Sequence, residues 1–237
     1  MNISPSQLET HGYYLYARFE FEELVDLISR ELRRRTPHMI LYWVVLVILA
    51  LGALAASIVV AGERTWIPFA GTLVAIAGMI PVIPIHELLH ALAFRLRGAR
   101  RIRFGARFRY LMFYAIASDF IADYREMLFI LYLPAAAVSA ALLIGTLVLG
   151  GGMLSGASAT IADIEALSGD ATLVRLIGSA LPWLALIHWS ACAGDAALAS
   201  YMWRHRNLDI VTGDEGEKLV TSFYVRTPVG TARRVLR

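Results

Sequence analysis

The sequence has little cysteine and little charge. Its 237 residues include one cysteine, Cys192, which excludes a disulfide within the chain and a zinc site built from several cysteines. Charged residues make up 17% of the chain and hydrophobic residues 58%, whereas soluble domains of this length carry more charge and fewer apolar side chains. We therefore expect an integral membrane protein.

The small excess of positive charge, +3 in all, does not indicate a nucleic-acid partner. Most of the arginines stand beside apolar segments, where basic residues orient membrane helices. No motif that reads a nucleic-acid groove is visible. We expect this protein to contact a lipid bilayer and no nucleic acid.

Four segments are apolar enough to cross a membrane, for which about 20 consecutive apolar residues are needed. They are residues 39–61, 66–94, 127–149 and 172–203. The first follows a polar N-terminal stretch, so we expect it to stay as an anchor and not to be removed as a signal peptide. The sequence predicts an all-α integral membrane protein with about four transmembrane helices and short cytosolic strand and helix elements.

The connections between these spans alternate between rich and poor in basic residues. The N-terminal segment, the loop between the second and third spans and the C-terminal tail are rich in arginine, whereas residues 150–171 contain no basic residue. Cytosolic loops carry the excess of basic residues in membrane proteins. We therefore expect both termini in the cytosol and the protein in the cell (inner) membrane.

Three regions follow from these patterns. Residues 1–38 form a cytosolic N-terminal segment, in which residues 13–21 partly alternate like a strand and residues 20–35 have the apolar spacing of an amphipathic helix. Residues 39–205 form the transmembrane core. Residues 206–237 form a cytosolic tail that includes SFYVRTP, a second short candidate strand.

Residues 86–90 read HELLH and lie within the second span. On a helix, this spacing places His86 and His90 one turn apart on one face, where both can bind one zinc ion, and sets Glu87 beside them as a general base. Ionisable side chains are costly within a bilayer and usually mark a functional site there. The motif indicates a zinc-dependent hydrolase, with a purely structural polar cluster inside the helix bundle as the alternative.

A catalytic zinc site needs a third protein ligand, and Asp195 is the best candidate. At 1.5 Å per residue, Asp195 and His90 lie roughly 10–14 Å inside the cytosolic ends of the fourth and second spans, which run in the same direction. His188 is the second candidate for the third ligand. If Asp195 binds the metal, His188 either hydrogen-bonds the substrate or an oxyanion or is a satisfied core histidine. We expect Cys192 to pack as a small apolar group.

The HELLHA sequence of residues 86–91, followed by Gly194-Asp195 on a later helix, resembles the intramembrane zinc metalloproteases of the site-2 protease type. The chain is most similar to a bacterial and archaeal family of zincin peptidases, over roughly residues 66–203. The resemblance implies that His86, His90 and Asp195 bind zinc and that Glu87 is catalytic.

The same resemblance implies an extended segment between the second and third spans. Residues 108–127 match it, and an unwound substrate could add to this segment as a strand. Two features depart from the site-2 protease pattern. Gly194-Asp195 reverses the usual Asp-Gly order, and His188 stands where related sequences tend to have Asn.

The function predicted from the sequence is zinc-dependent hydrolysis of peptide bonds in membrane-embedded or membrane-adjacent substrates, which are membrane proteins or peptides. Two alternatives stay open. One is a metal-binding membrane scaffold or regulator without activity, and the other is a small transporter coupled to ions or protons. Glu87 favours the hydrolase, because a protein that only binds zinc needs no base at that position.

Overall fold

A computed structural model of the protein describes residues 7–61, 65–110, 112–118, 120–155, 171–215 and 220–226. The described residues group into two compact units. Unit 1 lies within Met1–Ile40, Glu87–Pro134 and Ala193–Arg237, and unit 2 lies within Leu41–His86 and Ala135–Cys192. The predicted division at residues 38 and 205 concerns the two sides of a membrane and stays a prediction.

Six α-helices are present in the described part of the chain. They are α1 (Phe21–Glu31), α2 (Pro37–Ala61), α3 (Ile67–Leu96), α4 (Tyr124–Ser155), α5 (Ala171–Ala191) and α6 (Ala193–Arg204). Helices α2 to α5 each contain a stretch long and apolar enough to cross a membrane. On α2, the large apolar side chains of Ile48, Leu51 and Ile58 are 60%, 61% and 65% exposed. Such a surface suits contact with lipid chains, as expected of a membrane protein.

The fourth apolar segment forms two helices, where the sequence predicts one. Helix α5 ends at Ala191 and α6 begins at Ala193. At the junction, the N–H of Cys192 is shared between the carbonyls of His188 and Trp189, at 3.2 and 3.1 Å, which tightens the last turn of α5. As a result, Asp195 lies in the first turn of a new helix and not in the middle of a span.

The prediction of an all-α fold is wrong, because the chain also forms a six-stranded mixed sheet. Its strands are β1 (Tyr13–Phe19), β2 (Arg101–Arg107), β3 (Met112–Ser118), β4 (Ile121–Asp123), β5 (Val211–Glu215) and β6 (Val220–Arg226). The order is β1-β6-β5-β3-β2, with β4 also paired to β5. Strand β1 pairs with β6, so that Tyr13 lies opposite Arg226. Local patterns do not reveal partners so far apart in sequence.

A hydrophobic core lies between the helices and the sheet of unit 1. Leu27 of α1, Phe94 of α3, Ile130 of α4, Met202 of α6 and Phe223 of β6 are all buried in it. The burial of these side chains is the main force that holds the elements together. It packs the end of α3 that carries His90 against the first part of α4 and the second half of α6.

Unit 2 contains apolar helices joined by a few polar contacts. The indole Nε1 of Trp189 on α5 donates to the carbonyl of Tyr42 on α2 at 3.0 Å, and the hydroxyl of Tyr42 donates to the carbonyl of Ser190 at 3.1 Å. Nearer the other end of α5, Trp183 Nε1 donates to Ser57 Oγ at 2.9 Å. These bonds satisfy polar groups that would otherwise be costly in an apolar interior.

Candidate metal centre

Helix α3 carries the HELLH motif in its C-terminal half. Because residues four apart lie one turn apart on a helix, His86 and His90 share a face of α3, and Glu87 lies beside them. His90 is buried, and His86 and Glu87 are partly buried. The helix therefore has the form that the motif requires for two zinc ligands and a base.

Both ring nitrogens of His90 have a polar neighbour in unit 1. Its Nδ1 lies 3.0 Å from the carbonyl oxygen of Ile130, and its Nε2 lies 3.5 Å from Oδ1 of Asp195. A carbonyl oxygen can only accept a hydrogen bond, so Nδ1 carries the proton. Nε2 is then the nitrogen able to bind a metal, and it faces Asp195.

The distance between His90 and Asp195 fits a shared metal ion. Two ligands at about 2.0–2.1 Å from a tetrahedral zinc ion lie roughly 3.4 Å from each other. The observed 3.5 Å matches this value and is longer than an ordinary N–H···O hydrogen bond. The donor atoms, imidazole nitrogen and carboxylate oxygen, are also those that catalytic zinc sites use.

Helix α6 supplies Asp195 from its first turn. The start of a helix favours a negative charge, which suits a carboxylate ligand at this position. The sequence predicts that Asp195 and His90 reach similar depth. In the structure their side chains lie close together within unit 1.

Unit 2 brings His86 to the other residues that the sequence predicts as candidates. Nδ1 of His86 lies 3.0 Å from Nε2 of His188, and His188 Nε2 lies 3.9 Å from Sγ of Cys192. One ligand atom from each of these three residues lies within 4.8 Å of the others. Their ligand atoms are close enough together to hold a metal ion.

His188 and Cys192 are almost completely buried, at 1% and 3% exposed. The thiol of Cys192 donates to the carbonyl of His188 at 3.3 Å, as a cysteine commonly does to the preceding helical turn. The role of Cys192 as a small packing group stays a prediction. The ring of His188 also contacts His86 of the motif.

Two sets of polar contacts in unit 1 were not predicted from the sequence. One is the carbonyl of Ile130, which orients His90. The other is a cluster at the start of α2 and α4, in which His38 Nδ1 lies 2.8 Å from the hydroxyl of Tyr132 and His38 Nε2 lies 3.0 Å from the hydroxyl of Tyr124. The signal for the cluster was a histidine at the very start of an apolar span.

Comparison with known proteins gives one match. The model of a protein family described as "putative zincin peptidase" matches residues 79–208, which is more than half of the 237 residues. The matched range includes the HELLH motif, Ile130 and Asp195. No curated protein and no solved structure matches the chain.

Proposed function

Because the chain belongs to the zincin peptidase family, we propose that it is an intramembrane zinc peptidase of the site-2 protease type. Family membership implies a zinc-dependent peptidase. The intramembrane location is supported by the HELLH motif, which lies in a helix that is long and apolar enough to cross a bilayer. The reaction is hydrolysis of a peptide bond within or next to the membrane.

The zinc ligands in this proposal are His86, His90 and Asp195. The observation that carries it is the 3.5 Å separation between His90 Nε2 and Asp195 Oδ1, with His86 one turn before His90 on the same helix. Both motif histidines have their Nδ1 atoms engaged, by Ile130 and by His188. Each therefore keeps Nε2 for the metal, as is usual for zinc-binding histidines.

Glu87 is the general base of the reaction. When bound, zinc would polarise a water molecule and the scissile carbonyl. Glu87 accepts the proton from the attacking water and later delivers it to the leaving amine. The contact between His86 and His188 supports a role for His188 in orienting His86, with a hydrogen bond to the oxyanion as its alternative role.

The substrate in this proposal is a membrane protein or peptide that unwinds before cleavage. Strand β3 supports this view, since it pairs with β2 along its whole length but meets β5 only where Ser118 lies opposite Asp214. Among the described strands, β2 alone pairs with residues 112–117. An extended peptide could add to this edge through main-chain hydrogen bonds, within the segment predicted from the sequence.

The arginine pattern supports a cell-membrane protein with both termini in the cytosol. In this orientation the HELLH motif lies toward the cytosolic end of α3. We therefore place the cleavage site nearer the cytosolic face of the bilayer.

A second function is favoured by one observation, the set of His86, His188 and Cys192. A thiolate and two imidazoles suit zinc or a softer metal. A metal held there would occupy His86, and the protein would then be a metal-binding scaffold.

Proteolysis by the purified protein tests the peptidase. Wild-type protein and Glu87→Gln are reconstituted into liposomes with total membrane proteins, and new N-termini are identified by mass spectrometry. We expect cleavage products with the wild type and a loss of at least 100-fold with the variant. Identical products from both proteins would exclude Glu87 as the base, and no products from zinc-loaded wild type would favour the scaffold.

A further inference from the structure

Helix α4 contains a proline, Pro134, four residues after Ile130. In an α-helix the carbonyl of each residue accepts a hydrogen bond from the N–H four residues later. Proline has no N–H, and its ring also pushes against the carbonyl four residues before it. The carbonyl of Ile130 therefore cannot receive its usual helical bond from residue 134.

The same carbonyl accepts the hydrogen bond from His90 Nδ1 at 3.0 Å. Both residues are buried, with His90 7% exposed and Ile130 1% exposed, and buried carbonyls nearly always have a partner. Pro134 leaves a buried acceptor on α4 without its helical donor, and His90 of α3 supplies one.

We propose that Pro134 is a positioning residue for the metal centre. By lacking an N–H, it releases the Ile130 carbonyl to bind Nδ1–H of His90, which holds the ring with Nε2 toward Asp195. The expected effect of Pro134 on zinc binding rests on the proposed function. The hydrogen bond itself exists in the protein without metal and can be tested separately.

The tautomer of His90 is the property that this arrangement controls. A neutral imidazole carries its proton on Nδ1 or on Nε2, and only the Nδ1–H form presents Nε2 to a metal. An acceptor already saturated by a helical N–H binds a second donor less well. An amide at position 134 would compete with His90 for the carbonyl, and the Nε2–H form would gain population.

Two variants at position 134 separate the missing N–H from the other effects of proline. Pro134→Ala restores the N–H. Lactic acid, introduced at position 134 by nonsense suppression, has the side chain of alanine but forms an ester without an N–H. Pro182→Ala is the matched control, because Pro182 also lies inside an apolar helix. No residue of the proposed site lies four positions before or after it.

The first readout is the ¹⁵N spectrum of histidine-labelled, metal-free protein, which distinguishes the two tautomers. We expect His90 as the Nδ1–H form in wild type, the lactate variant and Pro182→Ala, and a mixture of tautomers in Pro134→Ala. The second readout is zinc affinity by chelator competition. We expect Pro134→Ala to bind zinc about 10- to 100-fold more weakly and the lactate variant to bind close to wild type.

Unchanged tautomer and zinc affinity in Pro134→Ala would overturn the proposal. Equal losses in the alanine and lactate variants would also overturn it, because they would assign the effect to the ring of proline and not to the absent N–H. If wild-type protein binds no zinc, the proposed function fails. The tautomer measurement still decides the role of Pro134 in that case.

Discussion

The Nδ1 atom of His86 lies 3.0 Å from the Nε2 atom of His188, so one imidazole donates a hydrogen bond to the other. If His86 binds zinc through Nε2, its Nδ1 carries the proton and His188 is the acceptor. This relationship is the basis of the role that we propose for the buried His188, which is to orient His86. Groups that orient a metal ligand in this way typically change metal affinity by 10- to 100-fold when they are removed.

Replacement of His188 should therefore weaken zinc binding. The loss should be larger when the new side chain offers no acceptor to Nδ1–H of His86. We expect His188→Leu to lower zinc affinity by about 10- to 100-fold, measured by chelator competition. His188→Gln keeps an acceptor oxygen at a similar distance from the backbone and should lose less. Equal affinity in wild type and His188→Leu would show that His188 does not orient His86.

Cys192 should not bind the catalytic metal. Cobalt can replace zinc, and a thiolate ligand then gives an intense charge-transfer band in the ultraviolet. We expect this band to be absent from cobalt-loaded wild type and the metal content to be unchanged in Cys192→Ser. Asp195→Ala, in contrast, should lose most of its metal. A band that disappears in Cys192→Ser would instead place the metal on the set formed by His86, His188 and Cys192.

The C-terminal half of α6 contacts a buried acidic residue of α1. Glu31 is 1% exposed and accepts hydrogen bonds from Ser200 Oγ at 2.7 Å and from Nη1 of Arg204. Breaking a fully buried ion pair costs about 3–5 kcal/mol, and the Arg204 side chain is 33% exposed. We expect Glu31→Ala to lower the free energy of unfolding by about 1–3 kcal/mol.

Unfolding in detergent, followed by tryptophan fluorescence, measures this loss. The control is Arg226→Gln, which removes a 3.9 Å ion pair to Asp209 between two exposed side chains. Such exposed pairs contribute about 0–1 kcal/mol. If Glu31→Ala is no less stable than Arg226→Gln, the contact between α1 and α6 does not stabilise the fold.

Asp214 on β5 should make the stability of the protein depend on pH. Burial raises the pKa of its carboxyl to about 6 from the ordinary 3.8, against the opposing effect of the hydrogen bond from Thr221. The folded state therefore holds the proton more tightly than the unfolded state. The contribution of Asp214 is fully present below about pH 3.8 and is lost as the pH rises to about 6.

Asp214→Asn imitates the protonated carboxyl at every pH. We expect wild type and variant to unfold at similar temperatures near pH 4, and the variant to be the more stable of the two above about pH 6. Thermal unfolding at a series of pH values measures the difference. A wild type that gains stability over the variant as the pH rises would contradict the raised pKa.

The helices and the motif could be predicted from the sequence because both depend on local patterns. Runs of apolar residues define α2 to α5, and the spacing of His86 and His90 defines their common face. Asp195 could be found because acidic residues are rare in the spans. In the structure it lies 3.5 Å from His90, although the break at Cys192 that starts α6 was not predicted.

The sheet and the orienting groups could not be predicted in the same way. Strands β1 and β6 lie far apart in the sequence. Each is much shorter than the apolar spans, and a short local pattern does not identify the strand with which it pairs. The Ile130 carbonyl is a backbone atom of an apolar residue, and no side-chain pattern marks it. Pro134, four residues later, is the one local sign that this carbonyl lacks its helical donor.

The zinc content of purified, folded protein tests the central claim most directly. We expect about one zinc ion per wild-type chain, retention of that zinc in Glu87→Gln, and its loss in His90→Ala, measured by mass spectrometry of the metal after removal of free ions. Circular dichroism of each protein shows whether it is folded. Folded wild-type protein without zinc, or His90→Ala with an undiminished zinc content, would contradict this account.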